Sequence, residues 1–193
     1  MDNSTRLQYL EAMGIDVWVS RESTQVEVLQ FVDEASYPVI EQAEKQAEVD
    51  DWAVLQKQVA ECQRCELCHT RTQTVFGAGN KNADWMFIGE APGQNEDLEG
   101  KPFVGQAGLL LTEMIRAIGL ERESVYIANI LKCRPPDNRD PKVEEVKACH
   151  DYLQQQITLI KPKIILAVGR IAAQTLLETN EPLSKLRGRP HQF

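Results

Sequence analysis

Several things are scarce in this 193-residue chain, and each scarcity narrows what it can be. No apolar run is long enough to cross a membrane, and the expected setting is away from one. Met1 to Arg21 is acidic and polar, with no basic start and no apolar stretch behind it. A secretory signal is therefore not expected, and the default compartment is cytoplasmic. Cysteine is sparse and odd in number: five, at 62, 65, 68, 133 and 149. That count does not read as a disulfide framework and leaves metal ligands or buried free thiols. No internal repeat or low-complexity tract occurs. A basic surplus is missing too, since the formal charge is −8. The deficit is local. Residues 1–61 carry thirteen acids and four bases, and residues 62–193 carry sixteen acids and seventeen bases. The acidity belongs to the N-terminal part, so composition neither supports nor excludes a nucleic-acid partner.

Read in order, Thr5 to Met13 has helical spacing, stopped at Gly14. Asp16-Val17-Trp18-Val19 suits a short strand or a docking segment. Glu22 to Ala60 is polar, acidic and helix-compatible. It reads as a solvated extension, or alternatively as a partner-docking tail anchored by Trp18 and Trp52. At Cys62 the texture changes. Ala78 to Asn82 reads as a turn. Trp85–Ile88, Val125–Ile130 and Lys163–Val168 read as strands. Gly105–Ile118, Val143–Ile160 and Ile171–Leu177 read as helices. This alternation predicts an α/β fold with a short parallel sheet and helices on its faces. The expected division is residues 1–60 as an acidic extension and residues 61–193 as the domain. After the third helix no fourth strand or closing helix is expected, and one sheet edge is left bare.

Two features carry chemistry. The first is the strand end Ile88-Gly89-Glu90-Ala91-Pro92-Gly93, followed by Glu96-Asp97. Ligands of open α/β sheets sit at the carboxyl ends of strands. The second is the Cys62-x-x-Cys65 knuckle with Cys133 and Cys149 further on. A zinc ribbon would show two knuckles, whereas an iron–sulfur cluster tolerates scattered thiolates. Ordinary buried thiols remain the alternative for Cys133 and Cys149. Four thiolates on a [4Fe–4S] core leave about −2 in net charge, and Arg64, Arg71, Lys132 and Arg134 lie beside the candidate ligands in sequence. Cys68 is expected to be a bystander.

From Cys62 onward the chain resembles the family 4, iron–sulfur, uracil-DNA glycosylases. The resemblance covers roughly residues 60–193. It rests on Cys62-x-x-Cys65, Arg71-Thr72-Gln73, Val75-Phe76-Gly77, Gly89-Glu90-Ala91-Pro92-Gly93, Glu96-Asp97 and Gly100-Lys101-Pro102-Phe103-Val104-Gly105. Ala107-Gly108, Asn129-Ile130, Lys132-Cys133-Arg134-Pro135-Pro136 and Cys149 complete it. The resemblance implies a three-layer αβα sandwich. It also implies a [4Fe–4S] cluster on Cys62, Cys65, Cys133 and Cys149, and excision of uracil from single- or double-stranded DNA to leave an abasic site. A monomer is expected, and the extension could meet a replication or repair protein.

Under that resemblance, Gly89, Glu90, Ala91, Phe103 and Asn129 form the substrate site, and Glu96, Asn129 and Glu90 are the catalytic candidates. A flipped base needs a stacking ring, which Phe103 supplies; the alternative is a core aromatic. Telling uracil from cytosine needs a group that donates and accepts, as the Asn129 amide does; the alternative is a local turn bond. Glu96 is the expected acid on the sugar side, with Glu90 shaping the pocket. Better-known relatives have an Asp where this chain has Ala91. Glu96 and Asp97 could instead be a helix-start or surface pair. Family members carry a His-Pro motif after a fourth strand, whose His donates to the base; His191 does not match it, and His69 and His150 have no assigned role. The chain is therefore expected to be C-terminally truncated and weakly active or inactive. The other functional classes are a non-catalytic iron–sulfur protein that binds DNA or a partner, and a zinc-stabilised α/β domain.

Overall fold

The structure is a computed structural model and describes residues 51–193. The expected helix at 5–13, the segment at 16–19 and the Trp18 anchor lie outside the described residues.

The first described helix, α1, is Asp51–Ala60. It lies in the stretch assigned by sequence to the extension, yet Leu55 and Val59 are buried with Phe76 and Tyr152. Trp52, an external anchor only in the alternative reading, packs edge-on against Phe76 and Tyr126 inside the domain. The strands are β1 (Ala78–Gly79), β2 (Trp85–Gly89), β3 (Tyr126–Asn129) and β4 (Ile164–Ala167). The helices after α1 are α2 (Gln94–Glu99), α3 (Gln106–Ala117), α4 (Val143–Ile160), α5 (Arg170–Leu176) and α6 (Leu183–Leu186). Among the described residues no helix is long and apolar enough to cross a membrane.

The sheet order is β1-β3-β2-β4. β2 pairs in parallel with both β3 and β4, as the alternating pattern predicts. The fourth strand corrects the expectation of three. β1 runs antiparallel to β3, at a place read as a turn. Two residues, one of them glycine, carry no strand signal of their own. Pairing holds them, and a Cβ on Gly79 would collide with the Val125 carbonyl. α6 also supplies a short final helix where none was expected.

Strand periodicity builds the three layers. Met86, Ile88, Tyr126 and Ala128 point one way, onto Leu153 and Ile160 of α4 and Ala172 of α5. Phe87 and Ile127 point the other way, onto Leu111 and Ile115 of α3. The chain crosses from β2 to β3 over one face. It returns from β3 to β4 over the other, passing β2. That reversal puts the topological switch point beside β2, between it and β4, and the site gathers at the carboxyl end of β2. There the parallel register sets Gly89 opposite Asn129.

Candidate functional site: a strand-end cleft beside a thiol-lined cavity

At the end of β2, Gly89 sits under two side chains. A Cβ built on it would stand 2.5 Å from Asn129 Oδ1 and 2.5 Å from Phe103 Cζ. Only a glycine lets the phenyl ring and the amide approach the strand this closely. Asn129 is 2 % exposed. Its Oδ1 is the one buried side-chain polar atom without a hydrogen-bond partner among the described residues. An orphaned buried acceptor is costly, on the order of 1–3 kcal/mol. At a strand end beside a ring, it reads as a binding group awaiting a donor.

Phe103 is half-buried and takes φ of 53°, a left-handed conformation rare for a phenylalanine. Such a conformation costs on the order of 1–3 kcal/mol and persists where the surroundings hold it. The holding groups are visible. Glu96 Oε1 accepts from the N–H groups of Val104 (2.9 Å) and Gly105 (3.0 Å), and Oε2 accepts from Gly93 N–H (3.1 Å). On the carbonyl side, Arg122 Nη2 donates to Pro102 O (2.8 Å) and Phe103 O (3.0 Å). A Cβ on Gly108 would run into the Phe103 carbonyl, so α3 also abuts this loop.

The acids therefore divide. Glu96, expected on the sugar side, spends both oxygens on backbone N–H groups. Burial raises its pKa, but the N–H groups of Gly105, Glu96, Val104 and Gly93 outweigh that and hold the carboxyl below its ordinary value. Asp97 is buried and accepts Thr72 N–H at 3.0 Å through each oxygen, an anchor inside the fold and not a surface charge. Glu90 is half-buried where β2 leaves the sheet. Burial first and Asp140 second push its pKa up, against Arg170.

The thiols gather on the other side of the same strand-end turn. Cys62, Cys65, Cys68, Cys133 and Cys149 line one cavity together with Arg64, Arg71, Lys132 and Tyr152. Cys133 and Cys149 pack with Leu67 and Leu131, and Ala91 packs against this group. Ala91, expected at the substrate, is thus found packed on the thiol side. Arg71 Nη1 donates to Cys133 Sγ at 3.0 Å, and its Nη2 donates to Cys62 O at 2.8 Å. Burial pushes the Cys133 thiol up to about 11 despite Arg71, so as a free thiol it stays neutral; metal ligation would reverse that. Arg134 does not join the set and donates instead to Asn138 Oδ1. Lys132 is fully buried, and its Nζ donates to Asn129 O (2.9 Å) and Gln156 Oε1 (2.7 Å). Gln156 in turn donates to Phe76 O and Tyr126 Oη. This network ties the thiol cavity to the backbone of the cleft's amide.

The sequence did not single out Arg122 or Gln156. Nothing distinguishes a lone arginine before a strand, or a glutamine inside an amphipathic helix. The Glu96 clamp did have a signal. Gly93 and Glu96 stand in the Ncap-to-N3 spacing of a helix start.

A folded pKa held low means Glu96 contributes stability in full above its unfolded pKa and loses it as pH falls through the lower folded value. Glu96→Gln should therefore be less stable than the unaltered protein near neutrality. The gap between them should close as the medium is acidified below about pH 4. Denaturant unfolding at several pH values checks this, and a gap independent of pH would contradict it.

Residues 76–192 match the family described as the Uracil DNA glycosylase superfamily. A type-4 uracil-DNA glycosylase of Archaeoglobus fulgidus is 49% identical over 140 residues, covering 70% of this chain and 70% of that protein. One from Saccharolobus solfataricus is 49% identical over 146 residues, covering 73% and 68%. One from Thermotoga maritima is 44% identical over 138 residues, covering 71% and 72%. With that match and the strand-end cleft in view, the chain belongs to the uracil-DNA glycosylase superfamily, in its type-4 branch.

Proposed function

We propose that this protein excises uracil from DNA by hydrolysing its N-glycosidic bond, at a low rate for want of the family's His-Pro donor. The observation that carries the reading is the buried, partnerless Asn129 Oδ1 beside Gly89 and the Phe103 ring. A base inside a duplex cannot reach such a cleft, so it must be flipped out. Uracil then stacks on Phe103. Its N3–H donates to Asn129 Oδ1, and its O4 accepts from the same amide. Cytosine offers an acceptor at N3 and a donor at position 4, so the amide in this orientation meets it wrongly twice.

In the reaction a water oxygen bonds to the sugar C1′ as the C1′–N1 bond breaks. The bonding pair leaves with the base, and the proton shed by water balances the charge on uracil. Positive charge builds on the sugar as the bond stretches. Glu90 is the acid proposed to face it and orient the water, because the Glu96 oxygens are committed to the Phe103 loop. Glu96 serves the reaction by holding that loop.

Cys62, Cys65, Cys133 and Cys149 are proposed to hold a [4Fe–4S] cluster, with Cys68 as a fifth thiol outside the ligand set. The cavity fits such a group in its donor set: thiols line it, and Arg64, Arg71 and Lys132 supply positive charge. Among the described residues no three His, Cys, Asp or Glu side chains converge as a single ion needs. A cluster, with its irons spread apart, does not need them to. When bound, the cluster supplies a rigid cross-link between the segments bearing its ligands.

Residues 51–193, with α1 packed into the domain, are proposed to carry the activity as a monomer on single- or double-stranded DNA. The acidic residues 1–50, ahead of α1, are proposed as an extension that could meet a replication or repair protein.

Two outcomes are expected. Anaerobically purified protein should contain about four irons and about four acid-labile sulfides per chain; zinc without sulfide would overturn the cluster. Asn129→Ala should slow uracil release from a deoxyuridine oligonucleotide by about 10–100-fold, the worth of one buried hydrogen bond. An unchanged rate would remove Asn129 from the site.

A further inference from the structure

We propose that Arg122 is a positioning residue for the base site, acting only through Phe103. The inference rests on the proposed uracil excision and concerns a residue that belongs to none of the cleft's sequence motifs.

Arg122 opens the short turn between α3 and β3. Its side chain is half-buried and reaches back twenty residues. One nitrogen, Nη2, donates to the carbonyls of Pro102 and Phe103, at 2.8 and 3.0 Å. The other, Nη1, donates to Thr112 Oγ1 at 3.0 Å and reaches Gly108 O at 3.4 Å. A planar fork thus ties the Phe103 carbonyl to the first turns of α3. Glu96 grips the next two peptide N–H groups of the same loop from the opposite side. Between them, the two side chains fix the peptides on both sides of a residue that sits at φ of 53°.

The geometry matters because the phenyl ring has little freedom elsewhere. Its edge lies against Gly89, where even a methyl group would not fit. Ring height above the strand is therefore set by the Phe103 backbone, and that backbone is set by the clamp. Removing Arg122 frees two carbonyls and lets Phe103 relax toward an ordinary φ, which withdraws the ring from the base. A lysine cannot replace the fork, because an ammonium cannot present parallel donors to both carbonyls and a helix hydroxyl at once.

The test is a double-mutant cycle on uracil release by iron-loaded protein, read under single-turnover conditions. Arg122→Ala and Arg122→Lys should each lower the rate by about 10–100-fold, the scale expected when a binding group shifts by about 1 Å. Phe103→Ala should lower it comparably. Adding either Arg122 change to Phe103→Ala should then cost nothing further, because the residue it acts through is gone. Cluster absorbance should be unchanged in every folded variant. Should Arg122→Ala fail to fold, the lysine variant carries the cycle alone. Rate losses at Arg122 that persist in full on the Phe103→Ala background would overturn the proposal. So would an unaltered rate in Arg122→Lys. Absence of uracil release by the unaltered protein would count against the excision reading itself, which separates the two failures.

Discussion

The close approach at Gly89 is the constraint on which the rest of the site depends. A residue without a Cβ lets a phenyl ring and an amide oxygen meet at the end of β2. Parallel register sets Asn129 across from Gly89. Burial leaves its Oδ1 without a donor. Any heavier residue at 89 would push the ring up or the amide aside, and the cleft would lose either its stacking surface or its hydrogen-bonding edge. The surrounding structure can be read as what holds these three groups in place. β3 supplies the amide, the loop before α3 supplies the ring, and Glu96 and Arg122 hold that loop in a conformation it would not adopt unaided.

The thiol cavity is joined to the cleft twice. Ala91 packs against the cysteine group two residues after Gly89. Lys132, one residue before Cys133, donates to the Asn129 carbonyl. A cross-link in that cavity would stiffen the segments that follow both β2 and β3. The proposed cluster therefore needs no direct part in bond cleavage to matter for it. Bound there, it would sit behind the wall and set how rigidly the wall stands.

Strands and helices with strong periodicity were legible in the sequence. β2, α3 and α4 fall close to where alternation and helical spacing put them, but the face of α3 does not: Leu109, Leu110 and Met114 are exposed, as is Ile118 just after it, and Leu111 with Ile115 turns to the core. β1 was not legible because a two-residue strand with a glycine is held by its partner and not by its own propensity. α2 was hidden by a Pro- and Gly-bearing turn that reads as a loop, although Gly93 and Glu96 mark its start. For the site, motif residues gave the parts, and the structure brings Gly89, Phe103 and Asn129 together. What sequence could not give was the division of labour among the acids. Whether a carboxylate faces a ligand or a row of backbone N–H groups depends on the path of a loop several residues away. Arg122 was invisible for the same reason: its task is set by carbonyls twenty residues earlier.

The most direct measurement is uracil release by Gly89→Ala beside the unaltered protein, with iron content measured on both. A methyl group at this position should displace the ring or the amide while leaving the thiol cavity intact. The account predicts a loss of release of about 100-fold with iron unchanged. Release by Gly89→Ala at the unaltered rate would contradict it.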